Sequence, residues 1–206
     1  MRTLSKAVIA GLALAALGLG GSGCAGPSAR MKGEDEGTLV DVKKGGAETY
    51  QKLIHDTVVA LLEEHRVKLQ GAAEKPLVAF VGVENKSSEE LGEFRTAMND
   101  EITTALVNSQ YYSIVSMRAV EAAKRESNIR NIEDLATRSN REAFMAVLNR
   151  DGAPPQYLLA GSVTTMTSRG TGEKERIYNL TLEMWDSSSG IVQTMKQEKV
   201  RKAYIE

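Results

Sequence analysis

The chain has 206 residues, with 26 Lys and Arg against 27 Asp and Glu, 18 Gly, 4 Pro and a single Cys. A formal charge of −1 provides no broad basic footprint, which excludes bulk electrostatic binding of nucleic acid as its activity. One thiol makes neither an internal disulfide nor a multi-thiolate zinc site, and with two histidines in all, His55 and His65, no metal site or cofactor is expected.

In chain order, Arg2 and Lys6 supply a positive start, and Ala7 to Gly21 is an uncharged run of 15 residues rich in Leu, Ala and Gly. That is the length of a signal peptide and falls short of the roughly 20 apolar residues a spanning helix needs. Residues 1–23 are therefore read as an export signal. Gly21-Ser22-Gly23-Cys24 resembles the lipobox of bacterial lipoproteins, in which the cysteine sulfur takes a diacylglycerol, so Cys24 is the expected site of lipid attachment. The usual Leu three residues before the cysteine is replaced by Gly21. An ordinary secretory signal cut near Gly23 or Ala25, leaving a soluble periplasmic protein, is the alternative. Removal of residues 1–23 leaves 183 residues and, with Arg2 and Lys6 gone, a formal charge of −3. Residues 24–46 hold five Gly and few aliphatic side chains. They read as a lipidated Cys and a flexible tether, with a mean span of roughly 25 Å and a taut limit of about 75 Å.

The globular domain is expected over residues 47–206. Tyr50, Leu53, Ile54, Val58, Leu61 and Leu62 recur at helical spacing and predict an amphipathic helix from Ala47 to about Arg66. Leu77 to Val83 is a continuous apolar run after Pro76, the pattern of a strand buried on both faces and central in its sheet. Ser87 and Glu90 stand in the capping-box relation and predict the start of a second helix, whose buried face carries Leu91, Phe94, Met98, Ile102, Ala105 and Leu106. A strand over Tyr111 to Ser116 and helices over about Arg118 to Glu126 and Glu133 to Asn149 follow, the last ended by Asp151-Gly152-Ala153-Pro154-Pro155. Three strands fit the last fifty residues. In the middle one Tyr178, Leu180, Leu182 and Met184 point one way and Asn179, Thr181 and Glu183 the other, with hairpin turns at Ser168 to Lys174 and Asp186 to Gly190. The expected fold is α+β: a small mixed sheet of about four to five strands, helices mainly on one face or in three layers, and a carboxy-terminal antiparallel meander.

Several of these segments together resemble the LpoB-type outer-membrane lipoproteins that activate penicillin-binding proteins, whose domain is similar to the amino-terminal domain of TolB. They are Leu39-Val40-Asp41-Val42, the strand and loop from Leu77 through Ser87, Thr104 to Ser109, and Tyr157-Leu158-Leu159-Ala160-Gly161-Ser162-Val163 with Tyr178 to Leu182, Asp186, Gly190 and Lys202. The likeness runs from about Leu39 onward. Two departures stand out: Ala153-Pro154-Pro155 replaces a Gly-Ala-Asp, and the Trp common after the last turn is absent at Val192 or Gln193, with Trp185 before the turn instead. The resemblance implies a lipoprotein of the outer membrane, facing the periplasm, that binds a class A penicillin-binding protein and regulates peptidoglycan synthesis and cell shape. Ala25 after the cysteine, in place of Asp, resembles the signal that permits outer-membrane sorting.

The residues themselves show no catalytic constellation, and no enzyme or small-molecule substrate is expected. His55 and His65 are offset by about 80 degrees around one helix and share no face, so a surface or helix-end role is expected. The mature chain has no Gly-x-Ser-x-Gly elbow and no dinucleotide or Walker glycine pattern. Glu89, Glu90, Glu133, Asp134 and Glu142 fit helix starts and solvated faces. Trp185 shares the outward parity of Glu183 and is the one candidate partner-binding residue, against the alternative that it folds over the hairpin end as a satellite core residue. Of Tyr111 and Tyr112, one is expected in the core and one near the surface. Two function classes remain: a membrane-tethered activator of a peptidoglycan synthase, and a structural subunit of an envelope or secretion assembly related to curli-secretion lipoproteins. The Ser168 to Lys174 loop is too short and polar to be a transmembrane hairpin.

Overall fold

The structure, a computed structural model, describes residues 29–31, 47–68, 74–150, 152, 154–169 and 174–204. The expected export signal, Cys24 and all of the tether except Ala29–Met31 lie outside the described residues. Those three residues form a short strand, β1 (Ala29–Met31). The remaining elements are α1 (Ala47–Lys68), β2 (Leu77–Asn85), α2 (Glu93–Ser109), β3 (Ser113–Ile114) and α3 (Met117–Glu126). A 3-10 helix (Ile132–Ala136), α4 (Arg138–Leu148), β4 (Tyr157–Arg169), β5 (Lys174–Asp186) and β6 (Val192–Tyr204) complete the chain. The sheet runs β1-β6-β5-β4-β2-β3. Its β3, β2 and β4 are parallel, and β4, β5, β6 and β1 are antiparallel neighbours, so the α+β class holds and the meander is where the alternation put it.

The helices take the three-layer form of that expectation and not the one-face form. On the first face α1 and α2 bury Leu53, Leu61, Met98 and Ile102 against Phe80, Leu159, Tyr178 and Leu182. On the second face α3, the 3-10 helix and α4 bury Val120, Leu135, Phe144 and Leu148 against Ala79, Val81, Leu158 and Trp185. The reason lies in β2, whose apolar run supplies both faces at alternate residues, so each side needs its own cover. The run does not make β2 central, since only the two-residue β3 lies beyond it. The strand expected over Tyr111 to Ser116 is cut to Ser113–Ile114, with Tyr112 buried and Tyr111 exposed.

Two helix starts also differ. No capping box forms at Ser87. Asn85 Oδ1 accepts from the Ser87 backbone N–H at 3.0 Å and from its hydroxyl at 2.6 Å, while Asn85 Nδ2 donates to the Glu89 carbonyl at 2.6 Å. These local bonds hold residues 85–89 as a turn, and α2 begins only after Gly92, whose φ of 47° breaks the chain direction. The helix expected over Glu133 to Asn149 is split at Thr137, which is extended. Asp134 accepts from the Arg130 and Asn131 N–H groups at 2.9 Å each, which winds a 3-10 turn ahead of it. Arg141 then donates Nη1 to the Leu135 carbonyl at 3.1 Å and Nη2 to the Ser189 carbonyl at 3.0 Å, tying that turn to the β5–β6 turn.

Candidate docking surface

Strands β4, β5 and β6 are each 13 residues long, and α3, the 3-10 helix and α4 are too short to cover them all on the second face. Cover reaches Leu158, Ala160 and Trp185 and stops. Beyond it the register places Ser162 beside Thr181 and Thr181 beside Gln197, then Thr164 beside Asn179 and Asn179 beside Lys199. This is an open sheet face. It is polar at its centre, where Gln197 Nε2 donates to Thr181 Oγ1 at 3.0 Å, the buried Asn179 donates Nδ2 to Thr164 Oγ1 at 3.3 Å, and Lys199 lies exposed alongside. Its two ends are apolar: Met166 is 61 % exposed at one, while Met195 is 57 % and Val192 46 % exposed at the other, opposite Glu183 and Trp185. Met166, Met195 and Val192 are the large apolar side chains this face presents to solvent.

Between this face and the 3-10 helix runs a groove of about 170 Å³, floored by Ser162 and Thr181 and walled by Ile132, Glu183 and Trp185. Lys86 closes one end through an ion pair to Glu133 at 2.6 Å. Trp185 is 8 % exposed and donates Nε1 to Glu183 Oε2 at 2.9 Å, so its ring belongs to the second core cluster and meets solvent at the groove wall. The alternative of a satellite core residue is the one the geometry adopts for most of its surface.

The other sequence candidates are dispersed. His55 is exposed. His65 is 1 % exposed, at the end of α1 but not on the surface: its Nδ1 lies 2.6 Å from the Tyr112 hydroxyl and its ring is edge-on to Tyr157. Burial and the neighbouring Lys68 hold its pKa below the ordinary histidine value. Glu89 accepts from Arg176 and from the Tyr178 hydroxyl, Glu133 pairs with Lys86, and Glu142 pairs with Arg138 at 2.7 Å. Tyr50 is pushed up to about 12, first by burial and then by Glu89. His65, Glu89 and Glu133 thus tie separate elements together, whereas the Glu142 pair lies within α4 and His55 faces solvent. Among the described residues no group of three His, Cys, Asp or Glu side chains could hold a metal ion, and no helix is long and apolar enough to cross a membrane.

Sequence reasoning missed Met195 and Val192 as surface residues. The signal was faint, because β6 presents Thr194, Lys196 and Glu198 to the helix side, so polarity does not separate its two faces. Lys196 satisfies this arrangement by pairing with Glu64 of α1 at 2.6 Å.

A family model described as peptidoglycan-synthase activator LpoB matches residues 47–200. Comparison with curated proteins finds no match. Among solved structures, the chain is similar to the LpoB carboxy-terminal domain from Salmonella enterica, at 16 % identity and a TM-score of 0.48, over 71 % of this chain and 96 % of that one. It is similar to the LpoB carboxy-terminal domain from Escherichia coli at 14 % identity and a TM-score of 0.48, over 76 % and 98 %. It is also similar to lipoprotein GNA1162 from Neisseria meningitidis at 18 % identity and a TM-score of 0.46, over 62 % and 83 %.

Proposed function

The chain belongs to the peptidoglycan-synthase activator LpoB family, and from that premise we propose that it is an outer-membrane-anchored periplasmic lipoprotein that binds and activates a class A penicillin-binding protein. The observation that carries the reading is the open second face of β4, β5 and β6. Met195 and Val192 are exposed at one margin of that face, the Trp185 groove runs beside it, and the first hydrophobic cluster packs behind it. Activation follows if that face binds the active state of the synthase better than the resting one, since a ligand shifts an equilibrium only by its difference in affinity.

The anchor rests on the sequence: an uncharged 15-residue run, then Gly-Ser-Gly leading into the sole thiol at Cys24. A multi-chain lipid on that sulfur would hold durably, because each buried methylene contributes about 0.8 kcal/mol. Ala25 supports sorting to the outer membrane. Because Ala29–Met31 pair with β6, only residues 24–28 separate the anchor from the sheet, a taut limit of about 17 Å, so the synthase must project its docking domain to the anchored face.

The test is the glycan-polymerisation rate of each bifunctional class A synthase of the host, with and without the full chain. A saturable rise with one synthase is expected. The double variant Val192→Lys with Met195→Glu should abolish that rise while its unfolding free energy stays within about 0.5 kcal/mol of the parent, as expected for substitutions of exposed side chains. If no synthase responds to the folded protein, the activator reading fails and the envelope-assembly subunit takes its place.

A further inference from the structure

The open sheet face exposes apolar side chains at both ends, and the way the chain enters the sheet tells the two ends apart. Strand β1 runs antiparallel to β6, with Ala29 beside Tyr204 and Met31 beside Lys202. The residues before Ala29 therefore leave the sheet at the end where β6 finishes and β4 turns into β5. Five residues, 24–28, precede that pairing from Cys24 onward, a taut limit of about 17 Å. Strand β6 is 13 residues long, so Val192 at its other end lies about 40 Å from Tyr204. A lipid on Cys24 holds the first end at a membrane and leaves the margin of Trp185, Val192 and Met195 free to point away.

The tethered end also has the composition of a surface that meets lipid. Met166 is exposed there, beside the half-buried Ile177. The last four rows of the strands carry Arg30, Arg169, Lys174, Arg176, Arg201 and Lys202 against one acid, Glu175. Arg176 is held by Glu89 and Lys202 is buried, while Arg201 is exposed and stands 3.9 Å from Glu175. Glu48 at the start of α1, Glu89, and Glu173 and Glu206 in the sequence beside these strands reduce the basic excess without cancelling it. In the four rows at the other end the charged residues are Glu183 and Asp186. An anionic lipid surface attracts the basic end over the acidic one, and an exposed hydrophobe beside bases adds interfacial contact to the acyl anchor.

We infer that β1 straps the domain end-on to the anionic lipid surface that holds Cys24, with the Met166 and Arg201 end of the sheet against the lipid and the Trp185 margin projecting away. The inference rests on the anchor reading and needs no synthase for its test. The full chain is purified from membranes and placed in vesicles of equal parts phosphatidylethanolamine and phosphatidylglycerol carrying a dansyl-labelled lipid. Mass spectrometry comes first: a chain without diacylglycerol on Cys24 ends the anchor reading and this inference together. With the lipid present, energy transfer from Trp to dansyl reads height above the bilayer. Trp185 is the only Trp, and Trp185→Phe with Met166→Trp moves the donor roughly 25 Å along the strands, so transfer should be at least about fivefold greater from that variant. Arg30→Pro with Met31→Pro removes a ladder bond whichever residue makes it, because successive strand N–H groups point to opposite sides. With the strap released and the protein still on the vesicles, the two donors should come within about twofold of each other, as a tether running on to residue 46 sets no orientation. In the parent the same two prolines should raise transfer from Trp185, a comparison that alters neither core. Equal transfer from the two donors in the strapped protein, greater transfer from Trp185, or a difference that survives the prolines would overturn the inference and leave the anchor reading standing.

Discussion

His65 is the titratable side chain with the most to lose from protonation. It is neutral against Tyr112 and Tyr157, and its pKa is held down first by burial and then by Lys68, with Glu64 opposing. A folded-state value below the unfolded one of about 6.5 means that the unfolded chain binds more protons in the acid range. Stability contributed by neutral His65 is therefore intact above about pH 6.5 and declines as pH falls from there toward the depressed folded value. Urea midpoints at pH 7.5 and 5.5 should drop on acidification for the parent. In His65→Asn they should show a smaller difference between the two pH values, whatever the absolute midpoint. At the same scale Asp186, held down to about 2 by the Ser188 and Ser189 hydroxyls and the Ser189 N–H, fixes the turn that Arg141 grips.

Strand β2 concentrates the constraints of the fold at the scale of one element. Its nine residues feed both cores, pair in parallel on two sides and contain the bulge between Phe80 and Gly82. Glycine is required there for its backbone and not for space: a Cβ at Gly82 would meet Asn99 side-chain atoms at an ordinary 3.8 Å, but φ of 110° is open to few other residues. Gly82→Ala should therefore cost about 1–3 kcal/mol, the range for a strained backbone residue, measured as a lowered urea midpoint with unchanged slope. Leu182, wholly buried at the middle of β5, sets a comparison by a different cause. Leu182→Ala should cost about 2–5 kcal/mol through lost burial and a cavity.

Over the whole molecule, two hydrophobic clusters lie on opposite faces of one sheet and share β2 and β4 as their common wall. Neither layer can leave without exposing strands that the other layer needs, so unfolding should be a single cooperative event. Trp185, the only Trp, sits in the second cluster and reports it, while far-UV circular dichroism follows all helices. The two transitions should coincide in urea, and a Trp185 transition at clearly lower urea would show that the α3–α4 layer is a separate unit. The sequence by itself determined the α+β class, the extent of α1 and α3, the meander and the inward set Tyr178, Leu180, Leu182 and Met184, because each is encoded in a local period of apolar residues that backbone geometry reads directly. It also carried the family resemblance, through segments that build the fold. Only the tertiary structure decided that helices cover both faces, that Ser87 is absorbed by the Asn85 turn, that His65 is buried and Trp185 is a groove wall, and that the β4–β6 face is left open. These outcomes depend on which distant surface each element meets and on how far three short helical segments reach across 13-residue strands, and neither quantity is present in the periodicity of any single segment.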